Sequence, residues 1–297
     1  MLMRKKKPSL GVALSGGMAL SIAHVGVLTA LEEAGLEVGY VAGTSGGAIV
    51  GACYAAGVSL EAIAEGASTI RWRRIAGLQR PRLGVFSSEN IATFVTSQIG
   101  DISFAELRIP FRAVAVDLLT GEEVDIGEGD VGQAVRASCT IPGVFDPVPM
   151  EGRLLVDGGL VNRIPVDVVA RMGADIVIGS DVSYEARRGR VPGNMVEMTL
   201  IALSFIGEDK ARRHRDLADF MIYPRMEGIS ALNVAKWREA IQAGHDAAIK
   251  IIPAIQGEIR RRSRWWRFSA SKKRRVASRL TGAVEHRTVE GLDRGVR

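Results

Sequence analysis

Short apolar runs closed by small residues, alternating with longer stretches of mixed apolar and polar positions, set the pattern of the N-terminal part of the chain. Leu10-Gly11-Val12-Ala13-Leu14 has no polar position, as a strand buried on both faces requires. Ser15-Gly16-Gly17-Met18 follows as a small-residue loop, then a stretch that predicts a helix from about Ala19 to Ala34, with Gly35 as its C-terminal cap. The plan then repeats. A strand at Tyr40-Val41-Ala42 leads through the turn Gly43-Thr44-Ser45-Gly46-Gly47 into a helix from about Ala48 to Ala56, closed by Gly57. This alternation predicts an α/β fold with a mostly parallel sheet covered by helices.

Farther along, runs at Phe111–Val116 and Glu123–Ile126 flank Thr120-Gly121 and predict a hairpin. Arg153–Val156 reads as a strand running into Asp157-Gly158-Gly159, and Ala174–Ser180 as another buried strand. Residues 194–252 read as helices and loops. No internal repeat and no linker interrupts the pattern before about residue 257, so the expected organisation is one domain over 1–257 and a tail over 258–297.

Composition refines this picture at three points. Of the 297 residues, 47% are hydrophobic, enough to fill a sizeable core. The only cysteines are Cys53 and Cys139, which make no disulfide framework and no metal-binding spacing, as expected of a reducing compartment. The net charge of +6 is local: residues 259–297 carry 13 Lys/Arg against three acids, and the rest of the chain is at −4. At the N-terminus, Arg4-Lys5-Lys6-Lys7 before the apolar stretch Leu10–Leu31 has the look of a signal peptide. Gly16-Gly17 and His24 interrupt that stretch and no cleavage site follows, so a strand and a helix of a soluble domain are expected instead.

The candidate chemistry sits in three of the loops. Gly43, Ser45 and Gly47 form G-x-S-x-G, a turn that forces a serine into a strained conformation at the N-terminus of a helix, with its hydroxyl exposed. In Ser15-Gly16-Gly17-Met18 the glycines permit close backbone approach, and N–H groups turned inward can hold an oxyanion. A phosphate loop fails here, because no G-K-[ST] ending follows and Met18 and Ser21 stand where glycines would be needed. Asp157, at the end of an apolar strand, is placed to act as general base. Of the histidines, His24 reads as a packing or helix-end residue and His286 lies in the tail, whereas His214 or His245 would complete a Ser…Asp…His triad.

Five blocks in order resemble the patatin-like phospholipase family, in its bacterial branch related to the catalytic domain of neuropathy target esterase. They are Gly11–Gly17 with Ala23–Leu28, Val41–Ala48, Val114–Gly121, Val135–Phe145 and Leu155–Asn162. The resemblance implies a three-layer α/β/α fold and a Ser–Asp dyad without a catalytic histidine. It assigns Ser45 as nucleophile, Asp157 as base, and the N–H groups around Gly16, Gly17 and Met18 as the oxyanion hole, with no metal and no cofactor. The implied substrate is an acyl ester of a phospholipid or lysophospholipid. Within the intervening blocks, Asp117 either supports the site or caps the hairpin, and the structural role is the one expected. The chain departs from the family where the glycine loop usually ends in a basic residue and glycine: it has Leu20-Ser21, and Met18 replaces a third glycine. A catalytically weak or inactive lipid-binding protein on the same fold is therefore the alternative.

Ile259–Arg275 contains nine Lys/Arg and no acid, interleaved with Trp265, Trp266 and Phe268. Aromatic rings within a cationic run suit the membrane interface better than a merely solvated tail or nucleic acid, and each cation adds on the order of 1 kcal/mol beside anionic lipid. The expected location is cytoplasmic, with peripheral contact at the inner membrane face.

Overall fold

The computed structural model describes residues 7–68, 77–78, 84, 86–183, 198, 202, 212, 215–231 and 234–264. Residues 9–253 make one compact unit. Its sheet opens with β1 (Leu10–Leu14), whose five residues are all buried because parallel strands flank it on both sides. These are β2 (Val38–Thr44) and β9 (Ile176–Ser180). Beyond β9 lies β10 (Phe220–Ile222), and beyond β2 lies β5 (Phe111–Asp117), both again parallel. An antiparallel portion completes the sheet: β6 (Glu123–Ile126), β7 (Val148–Met150) and β8 (Arg153–Asp157). A separate two-stranded ribbon pairs β3 (Gly77–Leu78) with β4 (Phe86–Ser87).

The register on β5 explains how the sheet changes direction. β2 pairs with Phe111–Val114, β8 with Ala115–Asp117, and β6 with Ala113–Val116. Since β6 overlaps both of the others, it holds one edge of β5, and β2 and β8 must share the opposite edge. They meet end to end there, Thr44 opposite Val114 and Asp157 opposite Ala115.

Alternation along the strands sends side chains to two helical layers. On one face, Ala13, Ala42, Val114 and Val177 pack with Val166, Val168 and Val169 of α6 (Val166–Arg171). On the other, α2 (Gly46–Ala56) approaches Leu14, Val41 and Phe111 through Gly51, and α5 (Val131–Ser138) packs Ala137 against Ala115 and Leu155. Further helices among the described residues are α1 (Ala23–Glu33), α3 (Leu60–Ser68), α4 (Glu89–Ile99), α7 (Trp237–Ile249) and a helix over 252–264. α1 and α7 cross closely: a Cβ on Gly26 would collide with the Ile241 carbonyl, and one on Gly244 with the Ala23 carbonyl. The result is the expected three-layer α/β/α architecture.

Some elements differ from the sequence reading. The helix expected from Ala19 begins as a 3₁₀ turn over Met18–Ile22 and becomes α-helical only at Ala23. The stretch read as helices and loops contains β10, and β7 precedes β8; each has only three residues, too few for a periodic signal. The thiols of Cys53 and Cys139 are free and buried. Among the described residues, no helix is long and apolar enough to cross a membrane. The second unit takes in Met1–Pro8 and Ala254–Arg297, and it is helical from 254 to 264, with Glu258 bound to Arg261 and Arg262. Trp265, Trp266, Phe268 and the remaining tail lie outside the described residues.

Candidate active site

Ser45 stands between the end of β2 and the start of α2 with φ 54° and ψ −128°. A non-glycine residue in this region carries about 1–3 kcal/mol of strain that its surroundings must hold in place. Both elbow glycines are sterically required. A Cβ on Gly43 would come within 2.6 Å of the Ala48 Cα, and one on Gly47 would strike the carbonyls of Leu14 and Ser15. The Ser45 amide donates to the Ser138 Oγ at 2.9 Å, and the Ser138 hydroxyl donates in turn to the Val114 carbonyl at 2.6 Å. Thr44 is tied by its hydroxyl to the Asn162 carbonyl at 2.8 Å. The serine hydroxyl is thus presented by a rigid frame at the N-terminus of α2, where amides and the helix dipole favour negative charge.

Asp157 reaches the same point from the opposite direction, at the end of β8. Its amide donates to the Thr140 carbonyl at 2.8 Å, and its Oδ1 accepts the Gly159 amide at 2.7 Å. Only 7% of the residue is exposed. Burial pushes its pKa up to about 6, against the opposing effects of the Ser45 hydroxyl, which faces it, and the Gly159 amide. A carboxylate with a raised pKa is a better proton acceptor than a solvated one, yet is still ionised at neutral pH. Cys139 lies beside both side chains, its thiol pKa raised by burial and by the Asp157 charge.

The glycine loop runs alongside. The Ser15 amide donates to the Ser180 carbonyl at 3.0 Å, and the Gly16 amide to the Arg163 carbonyl at 3.1 Å. Gly16, one of the three residues at which oxyanion donors are expected, therefore spends its N–H on holding the loop. The amides of Gly17 and Met18 have no acceptor among the described residues. Met18 adopts φ 53°, the conformation for which a glycine is suited.

His24 braces this loop from behind, fully buried. Its Nε2 lies 2.9 Å from the Ser15 carbonyl, which can only accept, so Nε2 carries the proton and Nδ1 accepts from the Ser180 hydroxyl at 3.0 Å. Burial lowers its pKa to about 4, more than the Ser15 carbonyl and the Asp181 charge raise it. His245 pairs instead with Glu33 at 2.9 Å, and His214 lies outside the described residues. Asp117 caps the hairpin, accepting the Leu119 amide at 3.1 Å.

Sequence reasoning missed Ser138 and Thr140, two residues apart in one short segment, which hold the Ser45 and Asp157 amides. Their signal was present in the block Val135–Phe145, whose polar positions Ser138, Cys139 and Thr140 are all buried. Over Ser45 opens an apolar pocket with about 690 Å³ of space, a figure that includes solvent at its open mouth. Met18, Ile49, Val50, Ile91, Ile141 and Phe145 contribute to its walls. Among the described residues, no group of three His, Cys, Asp or Glu is placed to hold a metal ion.

Comparison with known proteins bears on the family and the fold. An NTE family protein of Mycobacterium bovis, itself uncharacterized, is 39% identical over 174 residues, covering 58% of this chain and 48% of the relative. Neuropathy target esterase sws of Drosophila melanogaster is 32% identical over 185 residues, covering 60% of this chain and 13% of that much longer protein. The chain thus spans about half the length of the bacterial relative. Among solved structures, VipD from Legionella pneumophila superposes with a TM-score of 0.56 at 13% identity, covering 84% of this chain and 67% of VipD, and this likeness concerns the fold. The family described as Patatin-like phospholipase matches residues 12–170, more than half of the chain, and the protein belongs to that family.

Proposed function

We propose that this protein hydrolyses an acyl ester of a phospholipid or lysophospholipid through Ser45 and Asp157. The observation that carries the reading is the meeting of β2 and β8 on one edge of β5, which brings a strained serine and a buried carboxylate together beneath an apolar pocket. Asp157 takes the hydroxyl proton as Ser45 Oγ attacks the ester carbonyl. The N–H groups of Gly17 and Met18, with the orphan amides at the start of α2, hold the negative oxygen that forms. Collapse of the tetrahedral intermediate breaks the bond to the alcohol, which leaves with the proton from Asp157. Water, deprotonated by the same carboxylate, then attacks the acyl-enzyme, and as the fatty acid is released the proton passes from Asp157 back to Ser45 Oγ. The apolar walls suit the acyl chain, and the basic segment 259–275 suits peripheral contact with anionic membrane.

A fluorophosphonate probe, followed by mass spectrometry of the peptides and of the lipids released from mixed phospholipid vesicles, tests this reading. Covalent labelling at Ser45 and release of fatty acid are expected, both lost in Ser45→Ala. Absence of labelling in the wild type would favour the non-catalytic lipid-binding alternative.

A further inference from the structure

Ser21 stands where the family's glycine loop ordinarily carries a glycine. It is only 2% exposed, and its hydroxyl has no hydrogen-bond partner among the described residues. A buried hydroxyl without a partner is a net cost to folding and calls for an explanation. Its surroundings supply one. Ser21 contributes to the wall of the same pocket as Ser45. A Cβ built on Gly46 would come within 2.5 Å of the Ser21 Oγ, and one built on Gly17 within 3.4 Å. The hydroxyl therefore packs between the glycine loop and the first residue of α2, the two backbone segments whose amides converge on the ester. Gly46 leaves the space that the Ser21 side chain fills.

We propose that the Ser21 hydroxyl is a further hydrogen-bond donor to the substrate's ester oxygen as it becomes an oxyanion, adding a side-chain donor to the amides of Gly17 and Met18. A bound ester supplies the acceptor that the resting protein lacks. The proton stays on Ser21 throughout, so the step adds a hydrogen bond and no transfer. Such a donor compensates in part for the basic side chain that Leu20 replaces: Leu20 is itself 2% exposed and offers no polar group. This inference rests on the hydrolase reading.

Ser21→Ala and Ser21→Gly, assayed in the full chain on a p-nitrophenyl ester, test it. Loss of one such donor is expected to lower kcat by about 100-fold with KM within about twofold. The affinity for a trifluoromethyl ketone, which forms a tetrahedral oxyanion on Ser45, should fall in parallel. The thermal midpoint should hold or rise, since an unpartnered hydroxyl has been removed. Unchanged kcat in a folded Ser21→Ala protein overturns the proposal, as does a fall in kcat without loss of ketone affinity. Wild-type turnover in the same assay reports separately on the hydrolase reading, and its absence overturns both.

Discussion

The Ser45 amide rests on a side-chain hydroxyl, that of Ser138, and the same hydroxyl is anchored on the strand that both halves of the site share. Ser138 is thus a positioning residue for the strained elbow. The isosteric pair Ser138→Thr and Ser138→Val isolates its hydroxyl from its volume. We expect the threonine variant to exceed the valine variant in kcat by about tenfold or more, because displacing a nucleophile by a fraction of an ångström to 1 Å costs factors of this order. KM should differ little between them. Equal kcat values in the two would assign Ser138 to packing alone.

Asp157 makes activity depend on pH in a stated direction. With ionised Asp157 as the proposed base, kcat/KM should fall about tenfold per pH unit below its pKa of about 6 and level off above it. Asp157→Asn should abolish turnover while leaving the fold intact. A profile that stays flat to pH 5 would point to a different base.

The same group and His24 pull stability in opposite directions. Asp157 has a folded pKa of about 6, above the ordinary value of 3.8, so the native state bears a penalty above pH 6 that vanishes below 3.8. His24 has a folded pKa of about 4, below the ordinary 6.5, so its contribution is complete above 6.5 and is lost as the pH falls through 4. Each corresponds to about 3 kcal/mol at 1.36 kcal/mol per unit. Wild-type stability should therefore change little between pH 7 and 4 on account of these two groups. Asp157→Asn should be more stable than wild type at pH 8 and should lose that advantage on acidification, as denaturant midpoints at pH 4, 6 and 8 would register.

The architecture was legible from the sequence because long apolar runs and glycine punctuation report burial and turns directly. Leu10–Leu14 and Phe111–Val116 follow from the chain alone, and so does the elbow, since Gly43 and Gly47 are where a Cβ does not fit. The use of each amide was not legible. Gly16 donates to Arg163, a residue distant in sequence, and no local pattern encodes that partner. Ser138 and Ser21 were hidden for the same reason: a serine reads alike whether its hydroxyl ties down a neighbour or waits for a ligand.

Met18 offers a test of the loop. Its φ of 53° suits glycine and penalises branched side chains most. Met18→Gly should retain turnover within about threefold, whereas Met18→Val should lose about 1–3 kcal/mol of stability and much of its kcat. Circular dichroism melts and ester assays on the pair would decide it; equal tolerance of valine would mean that the loop relaxes freely.

The tail is open to a direct experiment. Removing residues 259–297 should weaken sedimentation with anionic vesicles and leave hydrolysis of a short soluble ester within about twofold, since each cation adds on the order of 1 kcal/mol only at the lipid surface. Unchanged vesicle binding would place membrane contact elsewhere.

The end-to-end meeting of β2 and β8 makes β5 a ruler for the chemistry. Thr44 and Asp157 are aligned by Val114 and Ala115, neighbours on one strand. One residue inserted between those two would spread the pair by about 3.3 Å and turn every later side chain of β5 to the other face. Insertions at the Glu151-Gly152 turn, where φ values of 50° and 76° mark a tight reversal, would leave that alignment alone. The turn at the far end of β8 can therefore lengthen and diversify, while the spacing along this one interior strand stays fixed.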